Sequence, residues 1–459
     1  MSSKLEKFFA PRSIAVIGAS NSAFNLGATI CNIIKYLKYP CEIYAVNPQA
    51  EDVSGCRGFA SIKEIPGDVD LAIIIISSRY VVQTARECGE KGIKHLIIES
   101  AGFSEEGDDG DLLQNELDSA AREFGIRYIG PNCLGIFNSQ NRFCSFYGVV
   151  PGMYDSVFDK PGSVSYIIQS GGIGALVIDS FQSDVGNVNK LVSIGNKADI
   201  DEVDIIDYYD TDKNTEVICM YLESISNGRK LFDIALNVRK PILAFKVGRT
   251  DAGAKAASSH TAGMASNDLI FEKACKQSGI IRLKSISELV NLPKIFTEMP
   301  ILKGKNIAVF TNSGAFGGIS ADLLISEGFN MPDFSPGLMN DLGLNGKLYN
   351  QSNPVDLGPA FSTEIYINIF KILAKSDEVD GILIIANVWQ DFIINALAEI
   401  VKLSNKIGKP SAIYIPNAMK RLIEIRSQYQ LPIFESPEEA VRALSVSYEY
   451  YSGLTRKNT

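Results

Sequence analysis

Histidine is scarce in this sequence, because only His95 and His260 occur among 459 residues. A metal site built from several histidines is therefore excluded, and any histidine chemistry has two candidates. The eight cysteines are scattered and form no CxxC pair. Since a chain of this length does not depend on disulfides, this cysteine usage indicates a reducing compartment and no structural zinc.

Long apolar runs and an excess of basic residues are also missing. No run approaches the ~18 residues of a membrane span, and the first residues, MSSKLEKFFAPRS, contain no apolar signal core. The 44 basic and 53 acidic residues give a net charge of −9, whereas nucleic-acid binding usually requires a basic surface. We expect a cytoplasmic protein that binds neither membrane nor nucleic acid.

Short β-branched runs alternate with stretches of helical period, which is typical of βαβ units and parallel sheets. At roughly 150 residues per domain, the length fits about three domains. Loose segments at Phe146–Gly162 and Met299–Lys305 mark the expected boundaries. The predicted strands are Ser13–Gly18, Glu42–Val46, Leu71–Ile76, His95–Glu99, Ile126–Ile129, Val164–Gln169, Lys190–Ser193, Val217–Leu222, Ile242–Lys246, Asn306–Phe310, Gly381–Ala386 and Ser411–Ile415.

The first predicted strand, within SIAVIGAS, leads into the turn Gly18-Ala19-Ser20. A glycine here lets the backbone approach a phosphate group at a helix N-terminus, as in dinucleotide-binding folds. The turn lacks a full GxGxxG, and Asn47 stands where a ribose-binding acid is expected. Coenzyme A therefore fits better than a dinucleotide, and a tight turn without any ligand is the alternative.

Polar or small residues follow three other predicted strands, and such strand ends share one crevice in a parallel sheet. The segments are Ser77-Ser78, Ser100-Ala101-Gly102-Phe103 and Gly130-Pro131-Asn132-Cys133. In that crevice Cys133 would lie beside a ligand thiol. As a small buried apolar residue, it would instead only fill the core.

His260 lies in the segment AASSHTAG, whose small residues allow a ligand to approach closely. Glu223 ends the apolar run VICMYLE. A carboxylate that binds one imidazole nitrogen leaves the other nitrogen available as a nucleophile. The pattern is explained equally well if His260 only lies in a mobile loop and Glu223 is only a surface residue. His95 starts a predicted strand, and we interpret it as structural.

Two further strand-to-helix turns occur at Gln169–Gly174 and Phe310–Gly314. The N–H groups at a helix N-terminus bind anions. Together with the first turn and His260, these segments indicate phosphoryl transfer through a phosphohistidine.

A series of motifs resembles the NDP-forming acyl-CoA synthetase family, and within it the α subunits of ADP-forming acetyl-CoA synthetases. Succinyl-CoA synthetase is a more distant relative, and the resemblance covers essentially the whole chain. The motifs are SIAVIGAS, YAVNP, SAGF, GPNCLG, QSGGIG, VSIGNKADIDEVD, YLESISNGR, KPILAFKVGRTDAGAKAASSHTAGMA, TNSG and NPVDL.

The resemblance implies three doubly wound α/β domains. A Rossmann-like CoA-binding domain (1–148) precedes two flavodoxin-like domains (160–298 and 304–459), the first of which carries the phosphohistidine loop. The family places its nucleotide-binding ATP-grasp module on a separate β subunit or in a fused C-terminal half, and we recognise none in this sequence. A β-subunit partner in an α2β2 assembly is therefore implied, with ADP, ATP and Mg²⁺ on that partner.

The resemblance also implies the reaction, in which acyl-CoA, ADP and phosphate give free acid, CoA and ATP through an acyl phosphate and a phosphohistidine. His260 matches the phosphorylated histidine, and Glu223 matches the acid that orients it. Ser170, Gly171, Gly172 and Ser259 match phosphate-binding residues. The residues that match CoA-lining positions are Gly18, Ala19, Ser20, Asn47, Ser77, Ser78, Ala101, Gly102, Phe103, Asn132 and Cys133.

Two segments depart from the family pattern. Asn387–Asp391 differs from the usual second phosphate-binding turn, and Asn21–Leu26 lacks the usual small, basic character. The alternative function is a non-catalytic CoA-binding sensor or scaffold of the same fold. A nicotinamide dehydrogenase is disfavoured by Asn47 and by the incomplete GxGxxG motif. The sequence leaves open the preferred acyl group and the choice between ADP and GDP.

Overall fold

The computed structural model describes residues 5–457 apart from 182–186, 261–266, 345–347, 359–361, 389–390, 417–424, 426–428 and 430, and it does not describe the side chains of 257–260. The chain forms two compact units, residues 1–284 and 285–459. Two sheets lie in the first unit and one sheet lies in the second. Within the described part of the chain, no helix is long and apolar enough to cross a membrane.

The first sheet is a six-stranded parallel sheet with its helices between the strands. Its elements are α1 (Glu6–Phe9), β1 (Ser13–Ile17), α2 (Leu26–Tyr36), β2 (Glu42–Val46), β3 (Arg57–Phe59), β4 (Leu71–Ile74), α3 (Ser78–Glu90), β5 (His95–Ile98), α4 (Asp108–Phe124) and β6 (Arg127–Ile129), with 3₁₀ turns at Ile62–Glu64 and Ser104–Glu106. The strand order is β3-β2-β1-β4-β5-β6, which is the Rossmann-like order. Every residue of β1 and β4 is buried, and for this reason the sequences of both strands are nearly continuous apolar runs.

The second sheet combines an antiparallel hairpin with five parallel strands. Its elements are β7 (Ile136–Asn138), β8 (Phe143–Cys144), α5 (Asp155–Asp159), β9 (Val164–Ile168), α6 (Gly171–Ser180), β10 (Val188–Ser193), α7 (Glu202–Thr211), β11 (Val217–Leu222), α8 (Gly228–Asn237), β12 (Ile242–Lys246), α9 (Asp251–His260), α10 (Asp268–Ser278) and β13 (Ile280–Arg282). The order is β13-β12-β11-β9-β10, followed by the hairpin β7-β8. The parallel part has the flavodoxin-like order.

The second unit contains the third sheet. Its elements are α11 (Ile286–Asn291), α12 (Lys294–Thr297), β14 (Ile307–Thr311), α13 (Gly314–Ser326), α14 (Pro336–Gly343), β15 (Val355–Asp356), α15 (Thr363–Lys375), β16 (Gly381–Ile385), α16 (Asp391–Ile407), β17 (Ser411–Tyr414), β18 (Ile433–Phe434) and α17 (Pro437–Lys457). The strand order β15-β14-β16-β17-β18 is again flavodoxin-like. The predicted fold class, one Rossmann-like and two flavodoxin-like sheets, is confirmed.

The sequence pattern predicts the long strands well and misses most of the short ones. β3, β13 and β15 contain two or three residues each, which is too few to show a period. Residues 136–144, predicted within the first domain, pair with the second sheet, and residues 285–298, predicted within the second domain, belong to the second unit. The three domain limits stay a prediction.

Candidate functional site

A cavity of about 370 Å³ lies at the ends of strands from both sheets of the first unit. Ligands of parallel sheets bind at these carboxyl ends, so the two sheets contribute to one site. The first-sheet side is formed by Leu26, Ile75, Glu99, Ser100, Ala101, Asn132, Cys133, Leu134 and Tyr147, and the second-sheet side by Gln169, Ser170, Gly171, Gly195, Asn196 and Glu223. Three predicted CoA residues thus lie in one cavity with two predicted phosphate residues and Glu223.

Cys133 forms part of the first-sheet side and is almost completely buried. Its Sγ lies 3.3 Å from the carbonyl oxygen of Ile98, to which it donates. Burial, and to a lesser extent the neighbouring Glu99 carboxyl, raise the pKa of the Cys133 thiol well above its usual range. Because a thiol is nucleophilic only when ionised, this shift disfavours Cys133 as a nucleophile, and its buried side chain helps to shape the cavity.

Glu99 lies directly after β5 and is also buried. Among the described residues, neither carboxyl oxygen has a hydrogen-bond partner. Burial raises the pKa of Glu99 well above its usual range, because removal from water disfavours the charged form. Burial therefore favours the uncharged carboxylic acid form of this side chain.

The predicted turn Gly18–Ser20 is closed by a side chain of its own loop. Gly18 has φ +101°, and a Cβ there would lie 2.3 Å from the carbonyl oxygen of Ile75, so this position requires glycine. Asn25 caps α2, since its Oδ1 accepts from the N–H groups of Ser20 at 3.1 Å and Ala28 at 2.8 Å. The donors that would hold a phosphate group are thus partly used within the protein.

Other residues with predicted CoA contacts are engaged elsewhere. The Asn47 side chain spans its own turn, donating to the carbonyl oxygen of Glu51 at 2.9 Å and accepting from the Glu51 N–H at 3.1 Å. Phe103 packs in the hydrophobic core of the first sheet. The Gly102 N–H donates to Glu105 Oε1 at 2.7 Å. Ser77 and Ser78 lie at the start of α3, outside the cavity lining.

On the second-sheet side, Gln169 holds the backbone that carries Glu223. Its Oε1 accepts from the N–H groups of Glu223 at 2.8 Å and Ser224 at 3.1 Å, and its Nε2 donates to Ser224 Oγ at 3.1 Å. Lys197 donates to the carbonyl oxygen of Ser224 at 2.6 Å and forms a buried ion pair with Glu202 at 2.9 Å. Gln169 and Lys197 therefore both hold the backbone at Glu223 and Ser224.

The Glu223 side chain is half-buried and interacts with Tyr221 two residues earlier. Burial raises the pKa of Tyr221 to about 12, and the charge of Glu223 and a hydrogen bond to it contribute. The phenol therefore stays protonated at neutral pH and donates to the carboxylate.

Helix α6 begins at the cavity, and its N-terminus has no side-chain cap. Ser170, the residue before the helix, makes no capping hydrogen bond, and the Gly174 N–H is the donor that reaches back to the carbonyl oxygen of Ser170, at 2.9 Å. The N–H groups of Gly171 and Gly172 precede this first helical bond. They can therefore donate to an anion, and the helix dipole favours negative charge there.

The two histidines occupy different places. Helix α9 ends at His260, but the side chains of Ser259 and His260 and the residues 261–266 lie outside the described part of the chain. His95 begins β5, at the end opposite to Glu99, and its ring packs edge-on against Phe8 with the centroids 5.1 Å apart. This packing supports the structural interpretation of His95.

In the second unit, the turns after β14 and β16 contact each other. Asn312 Nδ2 donates to the carbonyl oxygen of Asn387 at 3.1 Å, and Asn312 Oδ1 accepts from the Asn387 N–H at 2.8 Å. The segment Asn387–Asp391 is the one that differs from the family's second phosphate-binding turn. Two of its residues, Trp389 and Gln390, lie outside the described residues.

Sequence reasoning missed Glu99, Tyr147 and Asn196 as cavity residues, and it placed Gln169 in a phosphate-binding turn without assigning its side chain a role. Glu99 carried a usable signal, because a carboxylate that directly follows an apolar run stands at the carboxyl edge of a sheet. Tyr147 lies in a segment without a period, so no pattern pointed to it.

Comparisons with known proteins identify the two domains of the first unit. Residues 12–139 match the model of a CoA binding domain, and residues 161–296 match that of a succinyl-CoA ligase like flavodoxin domain. The chain is 34% identical to the acetate–CoA ligase [ADP-forming] II subunit alpha of Pyrococcus furiosus, over 96% of each chain. It is 32% identical to the acetate–CoA ligase [ADP-forming] II of Archaeoglobus fulgidus, over 97% of this chain and 67% of that protein.

A solved structure is similar over the whole chain. It is the dinucleotide forming acetyl-coenzyme A synthetase 1 of Ca. Korarchaeum cryptofilum in complex with phosphate and ADP, with a TM-score of 0.89 and 29% identity. The similarity covers 100% of this chain and 99% of that one.

Proposed function

This chain belongs to the family of ADP-forming acetate–CoA ligases, as an α subunit, and from that premise we propose how its cavity carries out the reaction. The enzyme converts acyl-CoA, ADP and phosphate into free acid, CoA and ATP. The observation that supports the mechanism is a single cavity lined by Cys133 on one side and by Ser170, Gly171 and Glu223 on the other.

We assign the first-sheet side of the cavity to CoA. The thioester end lies near Cys133, whose uncharged thiol adds neither a nucleophile nor a charge beside the substrate. The residues proposed to contact CoA with side chain or backbone are Gly18, Ala19, Ser20, Asn47, Ser77, Ser78, Ala101, Gly102, Phe103, Asn132 and Cys133. For Phe103 and Asn47 the contact would come from the backbone, since their side chains are engaged within the protein.

We assign the start of α6 to phosphate. There the N–H groups of Gly171 and Gly172, with Ser170, hold the anion beside the thioester carbonyl. A phosphate oxygen attacks the carbonyl carbon, the C–S bond breaks, and CoA leaves as a thiolate that takes up a proton. The product is an acyl phosphate at the same helix end, whose dipole offsets its charge.

His260 then takes the phosphoryl group. An imidazole nitrogen attacks phosphorus, the bond to the acyl oxygen breaks, and the free carboxylate is released. Glu223 accepts from the other imidazole nitrogen and orients the ring, and Ser259 contributes to phosphate binding. Gln169 and Tyr221 hold Glu223 in place for this role.

The phosphoryl group passes from His260 to ADP on a partner. We propose an ATP-grasp β subunit in an α2β2 assembly, with ADP, ATP and Mg²⁺ bound by that subunit. Two Pyrococcus furiosus relatives of nearly the same length are named as alpha subunits, which supports a separate partner chain. Mg²⁺ would neutralise charge on the transferring phosphoryl group.

A non-catalytic CoA sensor would need the first-sheet side of the cavity alone. The uncapped α6 and the firmly held Glu223 on the other side favour catalysis. The test is co-expression with an ATP-grasp β subunit and an assay of ATP formed from acetyl-CoA, ADP and phosphate. We expect ATP from the complex and none from this chain alone. CoA binding by a complex that never forms ATP from any acyl-CoA would support the sensor instead.

A further inference from the structure

The Glu99 carboxyl group has no assigned role in the reaction described above. It is buried, and no described residue hydrogen-bonds to either of its oxygens. Burying a polar group without a partner is costly, so a native protein that retains such a group calls for an explanation of what the group binds or does. A group of this kind that lines a cavity is suited to hydrogen-bond with the molecule that enters the cavity.

The carboxyl group lies at the thiol end of the proposed CoA site. Glu99 and Cys133 line the same cavity together with Tyr147. Glu99 Oε1 lies 2.8 Å from the position that a Cβ on Gly135 would occupy, so the absent side chain leaves room for the carboxyl group. Since CoA carries its acyl group on sulfur, a group beside Cys133 faces the acyl chain and not the nucleotide.

The chemistry of this end of the cavity restricts the acyl group. A protonated carboxyl group offers one O–H donor and a carbonyl acceptor, and an alcohol complements both. The cavity lining includes neither lysine nor arginine, so a second carboxylate on the acyl chain would find no described cation there. A purely alkyl chain would leave Glu99 without a partner.

We propose that Glu99 is a specificity-determining residue that selects short acyl-CoA thioesters whose acyl chain carries a hydroxyl group. This inference rests on the proposed function, because it assumes that CoA lies with its thiol end near Cys133. It extends that function by naming the substrate class.

The test measures binding to the full chain by calorimetry, with CoA, butyryl-CoA, 3-hydroxybutyryl-CoA, 4-hydroxybutyryl-CoA and succinyl-CoA. We expect one of the hydroxyacyl thioesters to bind about tenfold more tightly than butyryl-CoA, as one additional hydrogen bond would give. Glu99→Leu should abolish this ratio, whether or not it also alters the affinity for free CoA. Glu99→Gln retains a donor and an acceptor and should keep a reduced ratio.

The two proposals fail differently. If free CoA does not bind, the proposed function is contradicted. If CoA binds but butyryl-CoA equals both hydroxyacyl thioesters within twofold, or succinyl-CoA binds more tightly than either, the role of Glu99 is wrong. An unchanged ratio in Glu99→Leu also overturns it. If that variant does not fold, an unreduced ratio in Glu99→Gln is the decisive contrary result.

Discussion

Two glutamates line the cavity from opposite sides, and both follow a buried parallel strand and precede a serine. Glu99-Ser100 follows β5 of the first sheet, and Glu223-Ser224 follows β11 of the second. Glu99 is buried with no hydrogen-bond partner in the described part of the chain, and burial raises its pKa well above the usual range. Glu223 is half-buried, its backbone is held by Gln169, and its charge helps to raise the pKa of Tyr221.

The same residue type at equivalent places in two sheets is thus suited to different chemistry. A carboxylate beside hydrogen-bond donors can orient a histidine, whereas a buried carboxylic acid can donate to a substrate. What separates the two roles is the set of side chains that other segments bring to each strand end.

The largest expected effect concerns the histidine that Glu223 is proposed to orient. His260→Ala should lower ATP formation by the complex at least about a thousandfold, because the nucleophile is lost. The readout is the rate of ATP synthesis, together with acid-labile, base-stable label on the chain after incubation with acetyl-CoA and labelled phosphate. His95→Ala is the matched control. A label that survives in His260→Ala and disappears in His95→Ala would refute the mechanism.

Glu223→Gln should lower kcat about a hundredfold, since the imidazole would lose its orienting charge. The phosphohistidine should still form slowly, and KM for acetyl-CoA should change little. Glu216→Gln is the matched control, because Glu216 is exposed at the opposite end of the same strand. Equal rates for Glu223→Gln and the control would place Glu223 outside the reaction.

The α6 turn offers a test with two substitutions at one position. Gly171→Pro removes an N–H at the first helical position, where proline is favoured, whereas Gly171→Ala keeps that N–H. A Cβ at Gly171 would make ordinary contact with Leu134 at 3.5 Å, and Ser170 has the extended backbone that a following proline requires, so we expect both variants to fold. We expect about a tenfold rise in KM for phosphate with proline and a change under about threefold with alanine. Identical values would mean that this N–H does not bind phosphate.

The buried acid should be visible in the pH dependence of stability. The raised pKa in the folded state means that unfolding releases a proton from Glu99 once the pH exceeds the ordinary value of 4.5. Wild-type stability therefore falls as the pH rises towards the folded pKa, by up to about 1.4 kcal/mol per pH unit from this group. Glu99→Gln lacks this titration, so its stability relative to wild type should increase from pH 5 to pH 7.

The measurement is the free energy of unfolding from denaturant titrations at pH 5, 6 and 7. A difference between Glu99→Gln and wild type that stays constant over this range would show that Glu99 is ionised in the folded protein. The comparison between the two glutamates would then lose its basis.

The long strands and the parallel sheets could be predicted from the sequence, because parallel strands that are buried on both faces are uninterrupted apolar runs. The strand ends at Cys133, Ser170 and Glu223 followed as well, since the carboxyl edge of such a sheet is a general binding place. The closure of the Gly18 turn by Asn25 and the burial of Phe103 did not follow. Both depend on which side chains meet after folding, and no local spacing encodes this.

The hairpin β7–β8 links the unfolding of the two sheets in the first unit. The hairpin follows the last strand of the first sheet along the chain, but it belongs to the second sheet, where β7 pairs with β10. Its residues Phe137 and Phe143 are buried. A fragment cut off before Val164 would leave this hairpin without β10 and expose both aromatic rings along an open strand edge, a setting that promotes aggregation. The two sheets of residues 1–284 should therefore unfold in one cooperative transition, and an isolated CoA-binding fragment should be obtained in soluble form only when the hairpin is also removed or redesigned.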